Sequence, residues 1–567
     1  MYKELEEAWA ELTAPGQLFE ITEVEVRGQM LKAFALAPDS LRDLWLMSAG
    51  YGAADYLVYQ DQRWSYSQAH EQVRSIANWL VSHGIQQHDR VAIAMRNYPE
   101  WMLSYWAIVS VGACAVGMNS WWVTDEMEFG LRDSAPRLLI CDRERLDRFL
   151  PVRGNFPEMR LAGVRLSAER PEGVIDWAEL IASQPQLPEV SIDPDDDACI
   201  FYTSGTTGRP KGAQLTHRGC VNNVMTLGFA NAVQASAMAK LNSGAVTAPE
   251  KPLAGKPPSA IISTPLFHVT ANNCVAQAVT VAGGKLVHMY KWDAGEALRI
   301  VEEEKITTFT GVPVMSRELI SHPDFARRDT STLETLGGGG APVQPDLVDK
   351  IDKSAAGARP SQGYGMTEVC GVISALSGPW FVDKPTSAGK AMPTFEIRCV
   401  DENGNELPLG QPGEICVKGC QVIKGYINRP EATAETIVDG WLQTGDIGYL
   451  DEDGFLFLVD RAKDMVLRGG ENVYCSEVEA AIFRNPAVAE AAVFAVPDQR
   501  LGEEVGVAIR LNQGDSLNEA QLREFCGNYL AAYKIPRYMW FLDESLPRNA
   551  SGKFLKRELR ERLATTL

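Results

Sequence analysis

The chain has 567 residues, 45% of them hydrophobic and 23% charged, with a formal net charge of −20. That length exceeds one compact core, and the composition excludes disordered and fibrous classes. The acidity speaks against a surface given over to nucleic acid. It does not speak against small anions, which need only local positive charge.

Residues 1–40 read as an appended, partly helical lead-in. Its start, MYKELEEAWAEL, lacks the apolar stretch of a secretory signal, so a cytoplasmic protein is expected. From residue 54 onward, short Val/Ile/Ala runs alternate with amphipathic segments, as in RVAIAM, the helix around Trp101 to Val111, RLLICD, DDDACIFYTS and SAIISTPLF. This alternation predicts an α/β fold, with mostly parallel sheets flanked by helices. Leu103 to Val123 carries no charge and is long enough to span a membrane. Its serines, Asn119 and two glycines favour instead a buried helix running into a buried parallel strand. No transmembrane span is expected, which leaves peripheral membrane contact open.

Residues 234–258, rich in Ala, Ser, Gly, Pro and Lys, read as a mobile surface insertion. A boundary follows at the polar segment Asp460 to Asp464. Beyond it, from Arg461 to the end, 15 basic and 15 acidic residues cancel, so the whole excess charge lies before it. The expected organisation is a large domain over 1–459, a hinge at 460–464 and a small, mobile α+β lid over 465–567. The eleven cysteines form no CxxC pair, and Cys416 with Cys420 lacks a second ligand pair. Buried reduced thiols are expected there, not a metal.

The sharpest chemical signal is Tyr202-Thr203-Ser204-Gly205-Thr206-Thr207-Gly208-Arg209-Pro210-Lys211-Gly212, directly after a strand-like run. Small residues admit close backbone approach, while hydroxyls, amides and Lys211 supply donors for a polyphosphate. It is no Walker A loop, because no GK[ST] follows Gly205 at the required spacing. Further along, Tyr364-Gly365-Met366-Thr367-Glu368 offers an aromatic face, a hydroxyl and a carboxylate, although it could also be an ordinary turn. Asp446 in Thr444-Gly445-Asp446 suits ribose hydroxyls or a simple turn cap. His268, in Pro265-Leu266-Phe267-His268, is better explained by packing or a helix cap than by general-base chemistry. Lys553, in a Pro/Asn/Ser/Gly-rich loop, would by itself be an ordinary solvated lysine. From Arg548 to Arg562 six basic residues face two acidic ones, so the neutral lid ends in a basic stretch.

Seven motifs in order resemble the acyl-adenylate-forming superfamily, the AMP-dependent synthetases and ligases. They are the hydroxyl-rich loop, Gly338-Gly339-Gly340-Ala341-Pro342, the Tyr364–Glu368 run, Thr444–Asp446, Asp460-Arg461-Ala462-Lys463-Asp464, Arg468-Gly469-Gly470-Glu471-Asn472, and Pro547 to Lys553. The resemblance covers roughly residue 40 to the C-terminus. It implies that Thr203 to Gly208 and Lys211 hold ATP phosphates, and places Thr206 with Lys553 and Glu368 in the catalytic set. Tyr364 would stack on adenine beside Gly365 and Met366, Thr367 would meet the α-phosphate, and Glu368 would bind Mg²⁺. Asp446 and Arg461 would hold the ribose, and Gly339, Gly340 and Ala341 would form a small-residue wall. Lys553 would bridge the substrate carboxylate and the α-phosphate, where negative charge builds in the transition state.

The resemblance further places His268, Val269, Asn273, Gly311, Val312 and Gly338 at an acyl pocket, with His268 a gate that transfers no proton. Arg468, Gly469, Gly470 and Glu471 would line a pantetheine tunnel, and Lys463 would be the hinge pivot. The activity implied is ATP-dependent conversion of a carboxylic acid to an acyl-AMP, then to an acyl-CoA thioester. The RGGEN spelling is closer to fatty-acyl CoA ligases than to peptide-synthetase domains. Loading of a separate carrier protein and a luciferase-type oxygenase are the alternatives. Gly338 to Gly340, the 311–314 turn and Trp121-Trp122 suggest a roomy apolar pocket for a medium or long fatty acid or a bulky aromatic or steroid-type acid. Trp121 and Trp122 are equally well accounted for by packing. Monomer and homodimer both remain open.

Overall fold

A computed structural model describes residues 2–166, 170–203, 209–243, 257–354, 356–461, 464–469, 471–550 and 552–564. Among the described residues, two large sheets, a small one and a two-stranded hairpin, Ile21–Val26 with Gln29–Phe34, carry the fold. The first has seven strands in the order Lys211–Thr216, Asp197–Thr203, Cys114–Gly117, Arg90–Ala94, Leu138–Asp142, Arg160–Val164 and Ile175–Asp176. All neighbours in it are parallel except the first pair, a hairpin. The uncharged run is the helix Pro99–Ser110, buried at every position, followed by the buried strand Cys114–Gly117. Pro99 sits in the helix's first turn, where its missing N–H costs nothing. A segment buried on all sides has no polar face to display, which is why it mimics a membrane span. Among the described residues no helix is long and apolar enough to cross a membrane.

The second sheet has a parallel half and an antiparallel half. Asp55–Tyr59, Lys285–His288, Ser259–Ile262, Thr308–Gly311, Thr335–Gly339 and Arg359–Met366 run parallel. From Gly371–Ser377 to Phe455–Arg461 the pairing is antiparallel. The Tyr364–Glu368 run lies where the two halves meet, and Thr444–Asp446 and Asp460-Arg461 lie on paired strands of the antiparallel half. The third sheet, from Val466 on, is built around Val488–Asp498 and Gly502–Leu511 and has its own core of Val478, Ile482, Val493, Val507 and Ile509.

Two expectations change in detail. The lead-in is integrated into the large body. Helix Tyr2–Leu12 buries Leu5, Ala8 and Leu12 in the same core as Phe229 and Val233, and Trp9 packs edge-on against Phe229. Tyr2 meets Phe455 with ring centroids 5.3 Å apart. The expected insertion at 234–258 begins too early, because helix His217–Ser243 continues through its first ten residues. Ala and Gln at 232–239 favour helix, and Ala232, Val233 and Ala237 pack into the core. Residues 244–256 lie outside the described residues. All eleven cysteines are free, and Cys274 alone is not fully buried.

Candidate active site

The hydroxyl-rich loop joins two antiparallel strands, and Thr203 is paired directly with Lys211 across its base. Ser204, Gly205, Thr206, Thr207 and Gly208 lie outside the described residues. That strand–loop–strand arrangement differs from the strand–loop–helix of a P-loop. Lys211 places its Nζ 4.9 Å over the ring of Tyr426, and Tyr426 donates its hydroxyl to Glu368 Oε1 at 2.8 Å. Glu368 is only 8% exposed, on a short turn, Thr367–Val369, that follows strand Arg359–Met366. Thus the basic residue of one motif and the carboxylate of another meet the same phenol, one over its ring and the other at its hydroxyl.

Tyr364 and Gly365 stand at a β-bulge in the pairing with Gly371–Ser377, a device that re-aims side chains. Tyr364 is buried and donates its hydroxyl to Asp446 Oδ2 at 2.8 Å. Asp446 also receives Arg461 Nε on Oδ1 at 3.2 Å, across paired strands in which residues 446 and 461 are direct partners. Burial and the Asp446 charge push the Tyr364 phenol well above its usual range, so it remains a donor. Thr444 accepts from the Asp446 N–H at 3.1 Å and fixes the turn. Met366 and Thr367 are half-buried beside this group.

The glycine run is required mainly by the sheet. A Cβ on Gly338 would overlap the Gly311 carbonyl oxygen, and one on Gly337 the Ser361 carbonyl. Gly338 is buried, Gly339 half-buried, and Gly340 and Ala341 exposed, so the strand opens to the site only at its end. There a Cβ on Gly340 would lie 3.6 Å from Lys553 Cε and 3.7 Å from Val312 Cγ1. Lys553 is presented by a tight hairpin in which Asn549 Oδ1 accepts from its N–H at 3.0 Å and the Gly552 N–H donates to the Asn549 carbonyl at 2.9 Å. Gly552 adopts φ +84° and lies against Val312, which a Cβ would approach to 2.8 Å. The C-terminal segment therefore delivers Lys553 onto the turn at Gly311 and Val312.

Burial and the nearby Arg461 lower the Lys553 ammonium to about 8, while Asp446, Glu368 and Asp464 work in the opposite direction. His268 is lowered to about 4, first by burial and then by Lys553, so it is neutral near pH 7. It opens a π-helix, Thr270–Gln277, that the periodicity of the sequence does not disclose. Val269 is buried, and Thr270 and Cys274 share the half-exposed side. Asn273, expected in the acyl pocket, is fully buried and gives its amide to the Cys370 carbonyl. Trp122 packs edge-on against Tyr202, while Trp121 is 49% exposed under Arg96.

The Arg468–Glu471 hairpin is not among the groups that meet at Lys553. Arg468 is tied to the buried Glu504 at 2.7 Å within the small sheet, and Gly469 and Glu471 are exposed. Gly470 and Lys463 lie outside the described residues. Tyr426 is the functional residue that sequence reasoning missed. Its only signal is an aromatic placed between two glycine-bearing segments.

Comparison with known proteins accords with this geometry. Residues 47–427 match the AMP-binding enzyme family, and residues 477–553 match the AMP-binding enzyme C-terminal domain. A feruloyl-CoA synthase of Amycolatopsis is 35% identical over 88% of this chain and 94% of its own. The long-chain-fatty-acid–CoA ligase FadD13 of Mycobacterium tuberculosis is 32% identical over 89% and 94%. The crystal structure of an anthranilate CoA ligase in complex with anthranoyl-AMP superposes with a TM-score of 0.83 at 25% identity, covering 93% of this chain and 98% of that one. The chain belongs to the AMP-binding enzyme family, with the matching C-terminal domain, and is an enzyme of the acyl-CoA synthetase kind.

Proposed function

We propose that this enzyme activates a hydrophobic carboxylic acid with ATP and passes the acyl group to CoA. A carboxylate oxygen attacks the α-phosphorus, the bond to pyrophosphate breaks, and acyl-AMP forms. The CoA thiol then attacks the acyl carbonyl, AMP leaves with the bonding electrons, and the thiol proton passes to solvent. The observation that carries the reading is Lys553, delivered by the C-terminal segment to the point where Gly340, Val312 and His268 converge, beside Asp446 and Glu368. A desolvated ammonium there can meet charge that grows on the phosphoryl oxygens.

Tyr364, Asp446 and Arg461 form a ready ribose and base site, and Lys211 and Thr203 flank the phosphates. Glu368 fits Mg²⁺: it is a buried carboxylate with one oxygen held by Tyr426, and among the described residues it makes no ion pair. A single carboxylate suits an ion that takes its other ligands from phosphate and water, and the ion would neutralise phosphate charge there. Thr270, Cys274, His268 and Val312 form the acyl wall. The small domain turns about 460–464, withdraws Lys553 and brings the Arg468–Glu471 hairpin to the thioester step.

Relatives named for an aromatic and for a long-chain acid support a bulky hydrophobic acid. The test is pyrophosphate release, with thioester detection by mass, across acids graded from acetate through ferulate to palmitate. CoA-dependent thioester from a bulky acid is expected. Pyrophosphate release confined to acetate or to a dicarboxylate would refute the substrate class, and acyl transfer only to a carrier protein would refute the acceptor.

A further inference from the structure

The π-helix after His268 presents its half-exposed side at Thr270 and Cys274, whereas Asn272, Asn273 and Gln277 are fully buried. An extra residue per turn redirects side chains relative to an α-helix, which is why such segments mark working parts of a fold. Asn273 Nδ2 donates to the Cys370 carbonyl at 3.0 Å and reaches Cys220 Sγ at 3.5 Å. Its Oδ1 accepts from Asn272 Nδ2 at 2.9 Å and from Gln277 Nε2 at 3.4 Å. From the long helix His217–Ser243, Asn223 Nδ2 donates to the Asn273 carbonyl at 3.2 Å, and Asn223 Oδ1 accepts from the Val372 N–H at 2.9 Å. Two side-chain amides thus grip the backbone at both ends of Cys370 to Val372. That segment follows Thr367-Glu368-Val369 directly, and Cys370 sits at φ 59°, ψ 4°. A non-glycine residue holds this left-handed backbone only where its surroundings enforce it.

We propose that Asn273 is a positioning residue for the turn that carries Thr367 and Glu368, acting with Asn223 as a clamp on the phosphate and metal end of the site. This rests on the reading above, in which that turn meets MgATP. Among the described residues the clamp makes no hydrogen bond to Tyr364 or Asp446; it reaches the nucleoside end only indirectly, through the pairing of Gly371 and Val372 with Met366 and Gly365, and acts first on the phosphate end.

The test is calorimetric titration of the full-length wild type, Asn273→Ala and Asn223→Ser with adenosine, and with ATP at graded Mg²⁺. Both variants are expected to lose at least tenfold in MgATP affinity and to need several-fold more Mg²⁺ for half-maximal ATP binding, with adenosine affinity changed less than threefold. Unchanged MgATP binding in either variant overturns the proposal, as does an equal loss for adenosine and MgATP, which would mark general loosening. A shift confined to the KM for the acid in Asn273→Ala would return that residue to the acyl wall. Asn223→Ser carries the test alone should Asn273→Ala not fold. A wild type that binds neither adenosine nor MgATP would instead refute the adenylation reading itself.

Discussion

Lys553 titrates near 8 in the free enzyme, because burial and Arg461 disfavour its charge more than Asp446, Glu368 and Asp464 restore it. This should appear as a falling alkaline limb in adenylation. Only the ammonium can stabilise the phosphoryl charge, so kcat/KM for pyrophosphate release is expected to halve near pH 8 and to drop about tenfold per unit beyond pH 9. The sign is fixed: a lysine lowered from its usual value loses its proton as pH rises through the lower value. At saturating MgATP the limb should move upward, since bound phosphates favour the charged form. Thioester formation from preformed acyl-AMP should lack the limb and even accelerate, because the CoA thiol ionises over the same range. Pyrophosphate release and thioester absorbance, followed separately from pH 6.5 to 10, measure both half-reactions. Lys553→Arg retains its charge throughout and should show low but pH-independent adenylation. A flat wild-type profile to pH 9.5, or the same limb in Lys553→Arg, would refute the assignment.

Four further outcomes follow from the packing. Arg145→Leu should cost roughly 3 kcal/mol or more in urea unfolding, since it strands Asp142, a buried carboxylate bound to Arg145 at 3.0 Å and capping the helix that carries it. Gly338→Ala should destabilise the large body by about 1–3 kcal/mol through overlap with Gly311. Gly340→Ala, at φ +80°, should cost about 1–2 kcal/mol in urea unfolding and also slow pyrophosphate release, because its Cβ comes to 3.6 Å from Lys553 Cε. Tyr426→Phe should raise the Mg²⁺ concentration for half-maximal activity about tenfold or more, by freeing Glu368 Oε1; an unchanged Mg²⁺ dependence would remove Tyr426 from the site.

Much of this was legible in the sequence because the motifs are contiguous. The run Tyr364 to Glu368 and the triplet Thr444 to Asp446 carry the family resemblance in their spelling, and strand–helix alternation announces the parallel sheets. What stayed hidden depends on distance in space. Nothing near Asn273 signals that its amide reaches Cys370, 97 residues away, and the family resemblance places Asn273 in the acyl pocket instead. The glycines 337–340 look like ligand clearance, yet three of the four answer to neighbouring strands. Helix His217–Ser243 outran its expected end because Ala-rich composition serves helices as well as loops. The lead-in gave no sign of its partners, since Leu5, Ala8 and Leu12 find theirs more than two hundred residues later.

That last arrangement orders the birth of the molecule. During synthesis the first helix emerges long before His217–Ser243, against which it packs, and longer still before Phe455, on which Tyr2 rests. The strand at Asp55–Tyr59 likewise waits for Lys285–His288 before it gains its parallel neighbour. Helix Tyr2–Leu12 therefore keeps its apolar face open, and strand Asp55–Tyr59 has only its hairpin partner Gln62–Ser65, until some two hundred further residues have been made. Glu4, Glu6, Glu7 and Glu11 stand among those apolar positions and oppose aggregation of the waiting helix.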